Sequence, residues 1–213
     1  MTRLMTVSAA ASRLVCAVVM GTASLAQAQA PLEPGTPTAK ATFAGGCFWC
    51  VEADFDKVPG VLSTTSGYIG GGVANPTYEQ VSGNRTGHAE AVEIVFDPAK
   101  VSYERLLQIY WRSIDPTTLN RQFCDVGSPY RTAIFTHGEA QAAQARRSLE
   151  VLDRTKPFKE AIVTQIVPAS AFYPAEAYHQ DYHQKNPVRY RYYRATCGRD
   201  ARLEEIWGKP AAQ

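Results

Sequence analysis

The sequence predicts a mixed-sheet α/β (α+β) sandwich, in which helices pack against the sheet. Some segments alternate apolar and polar residues, as half-buried strands do, and others place apolar residues on one helical face. The two kinds intermix along the chain without a strict alternation. This order favours a mixed sheet over a purely parallel one.

Each element is predicted from local signals. The clearest strand is 89–96, which alternates in character and is stopped by Asp97 and Pro98, and Ser102 is expected to cap a helix that runs through Ile114. The other predicted strands are 41–44, 61–68, 130–136 and 161–167, and the other predicted helices are 47–58, 138–153 and 175–185. The basic, aromatic segment 190–208 is interpreted as a long irregular C-terminal tail.

The first thirty residues are predicted to be a secretory signal peptide. Arg3 and Arg13 supply positive charge, 14–20 is apolar, and small-x-small cleavage sites end at Ala28 and Ala30. The apolar run is too short to span a bilayer. A proline-containing linker is expected over 31–40 and a single compact domain over 41–208, exported to the bacterial periplasm.

The charge balance argues against two classes of partner. The whole chain has 22 Lys+Arg and 20 Asp+Glu. Removal of Arg3 and Arg13 with the leader leaves 20 against 20, so the mature net charge is near zero. Nucleic acid and membrane surfaces are therefore not expected as partners, and we expect a monomer.

Cys47 is the strongest candidate for chemistry. Gly45 and Gly46 break a predicted strand directly before it, and a predicted helix begins there. The free N–H groups and the dipole of a helix N-terminus favour a thiolate, which is the nucleophilic form of cysteine. Phe48 and Trp49 follow at once and place an apolar surface beside the sulfur. The pattern indicates a cysteine enzyme acting on a small apolar group, although a buried structural cysteine would fit the same residues.

Four further residues could assist this chemistry. Glu90 begins an otherwise apolar strand, where a carboxyl group is costly unless it is paired or has a raised pKa, so it could donate a proton. Tyr78 and Tyr130 lie near loops and could donate hydrogen bonds. Asp125 lies in a polar loop. Each residue also has a purely structural explanation: a solvated strand end for Glu90, packing for the two tyrosines and a simple turn for Asp125.

The cysteines leave alternatives open. Cys47, Cys50, Cys124 and Cys197 remain after the leader. They could form two structural disulfides, or Cys47 and Cys50 could form the C-x-x-C of a thioredoxin-like thiol–disulfide carrier. His179, four residues before another histidine, has the spacing of a metal-binding or protease-like pair, but neither use is favoured. No metal or organic cofactor is predicted.

Five segments in order resemble the A-type peptide methionine sulfoxide reductases. The resemblance extends over about 41–207 and is carried by these segments: 46–49 (GCFW), 75–78 (NPTY), 87–90 (GHAE), 124–131 (CDVGSPYR) and 178–187 (YHQDYHQKNP). It implies a ferredoxin-like, split βαβ core. It also implies thiol-dependent reduction of free and protein-bound methionine S-sulfoxide, which repairs oxidised proteins, with thioredoxin or a thioredoxin-like protein as reductant.

The resemblance also assigns the site residues. It makes Cys47 the nucleophile, which becomes a sulfenic acid, and Glu90 the proton donor. The methyl pocket falls on Phe48 and Trp49. The residues that bind the sulfoxide oxygen would be Tyr78 and Tyr130, and the acidic residue near the substrate amide would be Asp125.

Recycling through a second thiol is the least determined part of the resemblance. Cys197 matches the family's resolving cysteine best. Cys50, where many members have glycine, is its rival because it lies only three residues from Cys47, but a bridge between helical residues i and i+3 would strain disulfide geometry. Cys124 could act as a relay. We therefore predict a Cys47–Cys197 disulfide as the product of turnover.

Overall fold

The structure is a computed structural model, and it describes residues 37–209. The predicted signal peptide, 1–30, lies outside the described residues. The strands are β1 (Ala39–Gly45), β2 (Val61–Ile69), β3 (Ala89–Phe96), β4 (Arg121–Gln122), β5 (Asp125–Val126), β6 (Thr132–Thr136), β7 (Gln165–Pro168) and β8 (Tyr173–Pro174). The helices are α1 (Phe48–Phe55), α2 (Tyr78–Ser82), α3 (Tyr103–Arg112), α4 (Glu139–Thr155), α5 (Tyr182–Lys185), α6 (Pro187–Thr196) and α7 (Arg199–Trp207).

Six strands form one mixed sheet in the order β7-β6-β1-β3-β2-β8. Neighbouring strands are antiparallel, except that β6 and β7 run parallel. Within it, β1-α1-β2-β3-α3-β6 gives the strand order β6-β1-β3-β2. This is the ferredoxin-like, split βαβ core, so the predicted fold class is confirmed.

The core lies between the sheet and the helices α1 and α3. The ring of Phe43 on β1 stacks on Phe55 of α1 with centroids 5.4 Å apart, and on Tyr110 of α3 at 4.8 Å. All three rings are fully buried. Packing of this kind fixes the end of β1 against the start of α1, which is where Cys47 lies.

Several local predictions are confirmed. The strand over 89–96 has the predicted limits, and Ser102 caps α3 by accepting a hydrogen bond from the N–H of Arg105 at 3.1 Å. Strand β1 begins at Ala39, two residues before the predicted start of the strand at 41. The segment predicted as one helix over 175–185 is helical only from Tyr182, because Asp181 adopts a left-handed conformation with φ 53°. That conformation cannot continue a right-handed helix.

The prediction of a long irregular C-terminal tail was wrong. The tail is not irregular but forms α6 and α7, joined at Cys197 and Gly198. Arg194 stabilises this arrangement by ion pairs with Asp54 of α1 and with Asp200 of α7. The helical face is built from tyrosine and arginine rather than from aliphatic residues, so the usual apolar periodicity is missing.

Within residues 37–209, no helix has both the length and the apolar character that a membrane span requires.

Candidate active site

Cys47 lies at the N-terminus of α1, as predicted. It occupies the N-cap position, and its carbonyl oxygen accepts hydrogen bonds from the N–H groups of Cys50 and Val51 in the first helical turn. Gly46 precedes it with φ 83°, and a Cβ there would lie 2.5 Å from Gln122. A glycine is therefore required on both conformational and steric grounds. The Cys47 side chain is 7% exposed.

Cys47 and Cys50 form a hydrogen-bonded pair of free, buried thiols. The hydrogen bond from Cys47 lowers the pKa of Cys50 to about 7, aided by the positive charges of Arg199 and Arg194. Burial raises the pKa of Cys47 well above its ordinary value, and the neighbouring Cys50 raises it further. The pair therefore gives up one proton near neutral pH and holds the second strongly.

Glu90 lies at the start of α1, although it belongs to β3. Its Oε2 accepts a hydrogen bond from the backbone N–H of Phe48 at 3.1 Å, and its side chain is 2% exposed. Burial raises the pKa of Glu90 to about 8. The carboxyl group is thus protonated at neutral pH, and it is bound to the residue that directly follows Cys47.

Tyr78 and Tyr130 belong to the same cluster. Burial raises the pKa of both phenols, that of Tyr78 to about 12, and the nearby charge of Glu90 adds to both shifts. Tyr78 is the first residue of α2, and its backbone N–H donates a hydrogen bond to Glu176 at 2.9 Å. Tyr130 is the last residue of a 3₁₀ turn over Ser128–Tyr130. Both phenols stay protonated at neutral pH and can donate hydrogen bonds.

The side chains of Phe48 and Trp49 form an apolar wall beside the sulfur. Their ring centroids are 6.5 Å apart. Trp49 stacks on Tyr182 at 3.7 Å and donates its indole N–H to Nδ1 of His179 at 3.0 Å. Burial lowers the pKa of His179, which keeps this nitrogen free to accept. Neither His179 nor Tyr182 was predicted as a neighbour of Trp49.

Asp125 and two cysteines form the opposite edge of the site. Asp125 lies on β5, and its Oδ2 accepts a 2.5 Å hydrogen bond from the hydroxyl of Tyr193 on α6. Burial raises the pKa of Asp125. The adjacent Cys124 is joined to Cys197 by a disulfide, and the Cys197 sulfur lies 4.0 Å from Asp125 Oδ2.

The structure therefore brings the predicted site residues to one place. The disulfide there joins Cys197 to Cys124, so its role in resolving Cys47 stays a prediction. Sequence reasoning missed Tyr193, Arg194 and Arg199. The one signal available for Tyr193 was its spacing of four residues from Cys197.

One further group of potential ligands occurs among residues 37–209. The ligand atoms of Cys124, Asp125 and Cys197 lie within 4.8 Å of one another. Because the two sulfurs are bonded to each other, they are not thiolates that could bind a metal.

A reactive thiol pair, a protonated carboxyl group and an adjacent disulfide define a thiol-dependent oxidoreductase. A family model described as peptide methionine sulfoxide reductase matches residues 39–211. The chain belongs to the peptide methionine sulfoxide reductase family.

Relatives from other organisms agree with this assignment. The peptide methionine sulfoxide reductase MsrA of Bacillus licheniformis is 53% identical over 169 residues, which cover 79% of this chain and 93% of that protein. The MsrA of Halalkalibacterium halodurans is 51% identical over 170 residues, covering 80% and 97%.

Solved structures show the same fold. Methionine sulfoxide reductase A of Corynebacterium diphtheriae gives a TM-score of 0.67 at 37% identity, covering 73% of this chain and 77% of that one. The reduced form of Mxr1 from Saccharomyces cerevisiae gives a TM-score of 0.68 at 30% identity, covering 74% and 90%.

Proposed function

We propose that this protein reduces the S epimer of methionine sulfoxide, free and in proteins, with Cys47 as the nucleophile. As a member of the peptide methionine sulfoxide reductase family, it is an oxidoreductase that acts on methionine sulfoxide. The observation that carries the residue assignment is the hydrogen bond from Phe48 N–H to Glu90, which holds a protonated carboxyl group next to the Cys47 turn.

The first step transfers oxygen from the substrate to the enzyme. The Cys47 thiol gives its proton to the Cys50 thiolate as its sulfur attacks the sulfoxide sulfur and forms a transient sulfur–sulfur bond. Glu90 gives its proton to the sulfoxide oxygen, to which Tyr78 and Tyr130 hydrogen-bond. The oxygen then passes as a hydroxyl to the Cys47 sulfur while the substrate sulfur–oxygen bond and the transient sulfur–sulfur bond break, so methionine leaves and Cys47 becomes a sulfenic acid. Phe48 and Trp49 would contact the substrate methyl group, and Asp125 its amide.

The second step returns Cys47 to its thiol. We propose that the Cys197 thiol condenses with the sulfenic acid, releasing water and forming a Cys47–Cys197 disulfide. Cys124 then attacks the Cys197 sulfur, which frees Cys47 and leaves the Cys124–Cys197 disulfide that the structure contains. Cys50 is the rival for the first of these steps, because it lies next to Cys47.

An external dithiol would complete the cycle by reducing the Cys124–Cys197 disulfide. Cys124 is exposed, so a protein reductant can reach it. We propose a thioredoxin-like protein in this role, and a monomeric enzyme exported to the periplasm. The support for export is the leader-like composition of residues 1–30, and fractionation of cells that produce the full chain tests it.

Activity on the two epimers tests the reaction itself. Peptides that carry one methionine S-sulfoxide or one R-sulfoxide are incubated with the enzyme and dithiothreitol, and methionine is quantified. We expect turnover of the S epimer and almost none of the R epimer. Equal rates on both epimers, or turnover of insulin disulfides with none of either sulfoxide, would contradict the assignment.

A further inference from the structure

Tyr193 lies beside Cys47 in this structure. Its hydroxyl donates to Asp125 at 2.5 Å, and both burial and the nearby Cys47 raise the pKa of its phenol. Its ring meets the edge of Trp49 with centroids 5.7 Å apart. The phenol therefore binds the carboxylate assigned to the substrate amide and lies next to the thiol assigned to attack.

The disulfide holds this phenol in place. Cys197 ends α6, and its N–H donates to the Tyr193 carbonyl at 2.9 Å, so the two residues are one helical turn apart on the same face. On the partner loop, Cys124 and Asp125 are adjacent in sequence. The last turn of α6 is thus bonded to two neighbouring residues of the loop: Cys197 binds Cys124 covalently, and Tyr193 donates a hydrogen bond to Asp125.

Helix α6 is anchored on both sides of Tyr193 independently of the disulfide. Tyr190 is buried against Cys50 and Ala53 of α1, and Arg194 binds Asp54. Without the disulfide, the Tyr193 side chain retains its hydrogen bond to a partly exposed carboxylate and its ring contact with Trp49. The helix is therefore held in place without the bridge, and the bridge adds the covalent tie that keeps the loop of Asp125 against the Tyr193 hydroxyl.

We propose that Tyr193 is a gate over Cys47 which the Cys124–Cys197 disulfide locks and its reduction releases. For its role in the catalytic cycle, the gate rests on the proposed function. If that disulfide is the end product of a turnover, Cys47 returns to the thiol state while covered. It then meets neither a second sulfoxide nor an oxidant until a dithiol gives two electrons and two protons to the bridge.

Alkylation of Cys47 tests the gate without using a sulfoxide. A Cys50→Ser background leaves Cys47 as the one free thiol among the four cysteines of residues 37–209 while the bridge is intact. The rate of its reaction with iodoacetamide is compared with that of the same chain carrying Cys124→Ser and Cys197→Ser. We expect the bridge-free chain to react at least about tenfold faster, because minor open conformations are typically populated at 0.1–10%.

Substitutions of Tyr193 separate the cover from its hydrogen bond. With the bridge intact, Tyr193→Ala should react as fast as the bridge-free chain, while Tyr193→Phe should stay nearer the slow rate because its ring remains. Tyr192, which is 73% exposed, gives the matched control, and Tyr192→Ala should stay slow. Rates are taken at the plateau at high pH, so that a changed thiol pKa does not imitate opening.

Equal alkylation rates with and without the bridge would overturn the gate. The bridge-free chain keeps Tyr193 and the core, so this comparison tests the gate even if Tyr193→Ala fails to fold. The epimer assay on the fully reduced wild type is run alongside. If that enzyme fails to reduce methionine S-sulfoxide, the proposed function fails, whereas the alkylation rates still decide the gate.

Discussion

The backbone N–H of Phe48 donates to Oε2 of Glu90 at 3.1 Å, across the interface between α1 and β3. The residue that follows Cys47 thereby fixes one carboxyl oxygen of Glu90, and we propose that the other oxygen faces the substrate. Because burial raises the pKa of Glu90 to about 8, the group can supply a proton at neutral pH. This single hydrogen bond ties the position of the acid to that of the thiol.

Glu90→Gln should lower the rate of S-sulfoxide reduction by about 10²–10⁴-fold, the usual range for a positioned general acid. Glutamine keeps the shape and can still accept from Phe48, but it has no proton to give. The rate is measured in single turnover, so that recycling does not limit it. A variant within a factor of two of wild type would remove Glu90 from the mechanism.

The pH dependence should be bell-shaped. The thiol pair loses its first proton at a pKa of about 7, so activity rises through that pH, and Glu90 loses its proton at about 8, so activity falls above it. In Glu90→Gln the alkaline fall should disappear while the acid limb remains. An alkaline limb unchanged in the variant would assign it to another group.

Cys47→Ser should abolish turnover of the S-sulfoxide, because a serine hydroxyl cannot accept the oxygen as a sulfenic acid. Methionine release is followed by chromatography. The melting temperature is recorded in parallel, to show that the loss is chemical rather than structural. Retained turnover would rule out Cys47 as the nucleophile.

Tyr78→Phe and Tyr130→Phe should each slow oxygen transfer by about 10²–10³-fold, as removal of one donor to a developing negative charge does. Tyr103→Phe is the matched control, since its buried hydroxyl has no hydrogen-bond partner. It should leave the rate unchanged. If both site variants behave like this control, neither phenol holds the sulfoxide oxygen.

Cys197→Ser should still complete one turnover and then accumulate sulfenic acid on Cys47, without cycling on thioredoxin. Dimedone labelling and peptide mapping measure this. Cys124→Ser should instead trap the Cys47–Cys197 disulfide. A Cys47–Cys50 disulfide together with normal cycling of Cys197→Ser would make Cys50 the resolving thiol.

Glu52→Gln should raise stability at alkaline pH. Glu52 is fully buried, and burial raises its pKa to about 7 from about 4.5 in the unfolded chain. The folded wild type therefore loses stability as pH rises from about 4.5 through 7, where the buried group must ionise. Thermal unfolding should favour the variant by a few degrees at pH 8.5 relative to the difference at pH 4, whereas exposed Glu150→Gln should show no such trend.

Local signals were sufficient for much of the site. The strand, the two glycines and the helix around Cys47 are encoded in ten neighbouring residues, and the cost of burying Glu90 indicated its raised pKa. The roles of Tyr78, Tyr130 and Asp125 came from the family resemblance, because nothing local separates them from packing residues.

Long-range contacts could not be predicted in the same way. Cys124 and Cys197 are 73 residues apart, and their pairing depends on where α6 and α7 dock. That docking uses Arg194 and Arg199 as buried or partly buried cations, which composition would place on the surface. The predicted helix over 175–185 failed for a related reason, since Glu176 binds the N–H of Tyr78 and Asp181 takes a left-handed conformation.

Arg199 joins the two ends of the fold. Its side chain is 1% exposed, and it donates to the carbonyl oxygens of Gly45 at 3.1 Å and Ser113 at 2.7 Å. The turn that presents Cys47 is therefore completed by a helix that follows all six strands of the sheet along the chain. A nascent chain has the whole sheet before it has this support, so the Cys47 thiol acquires its final surroundings only after the sheet has been made.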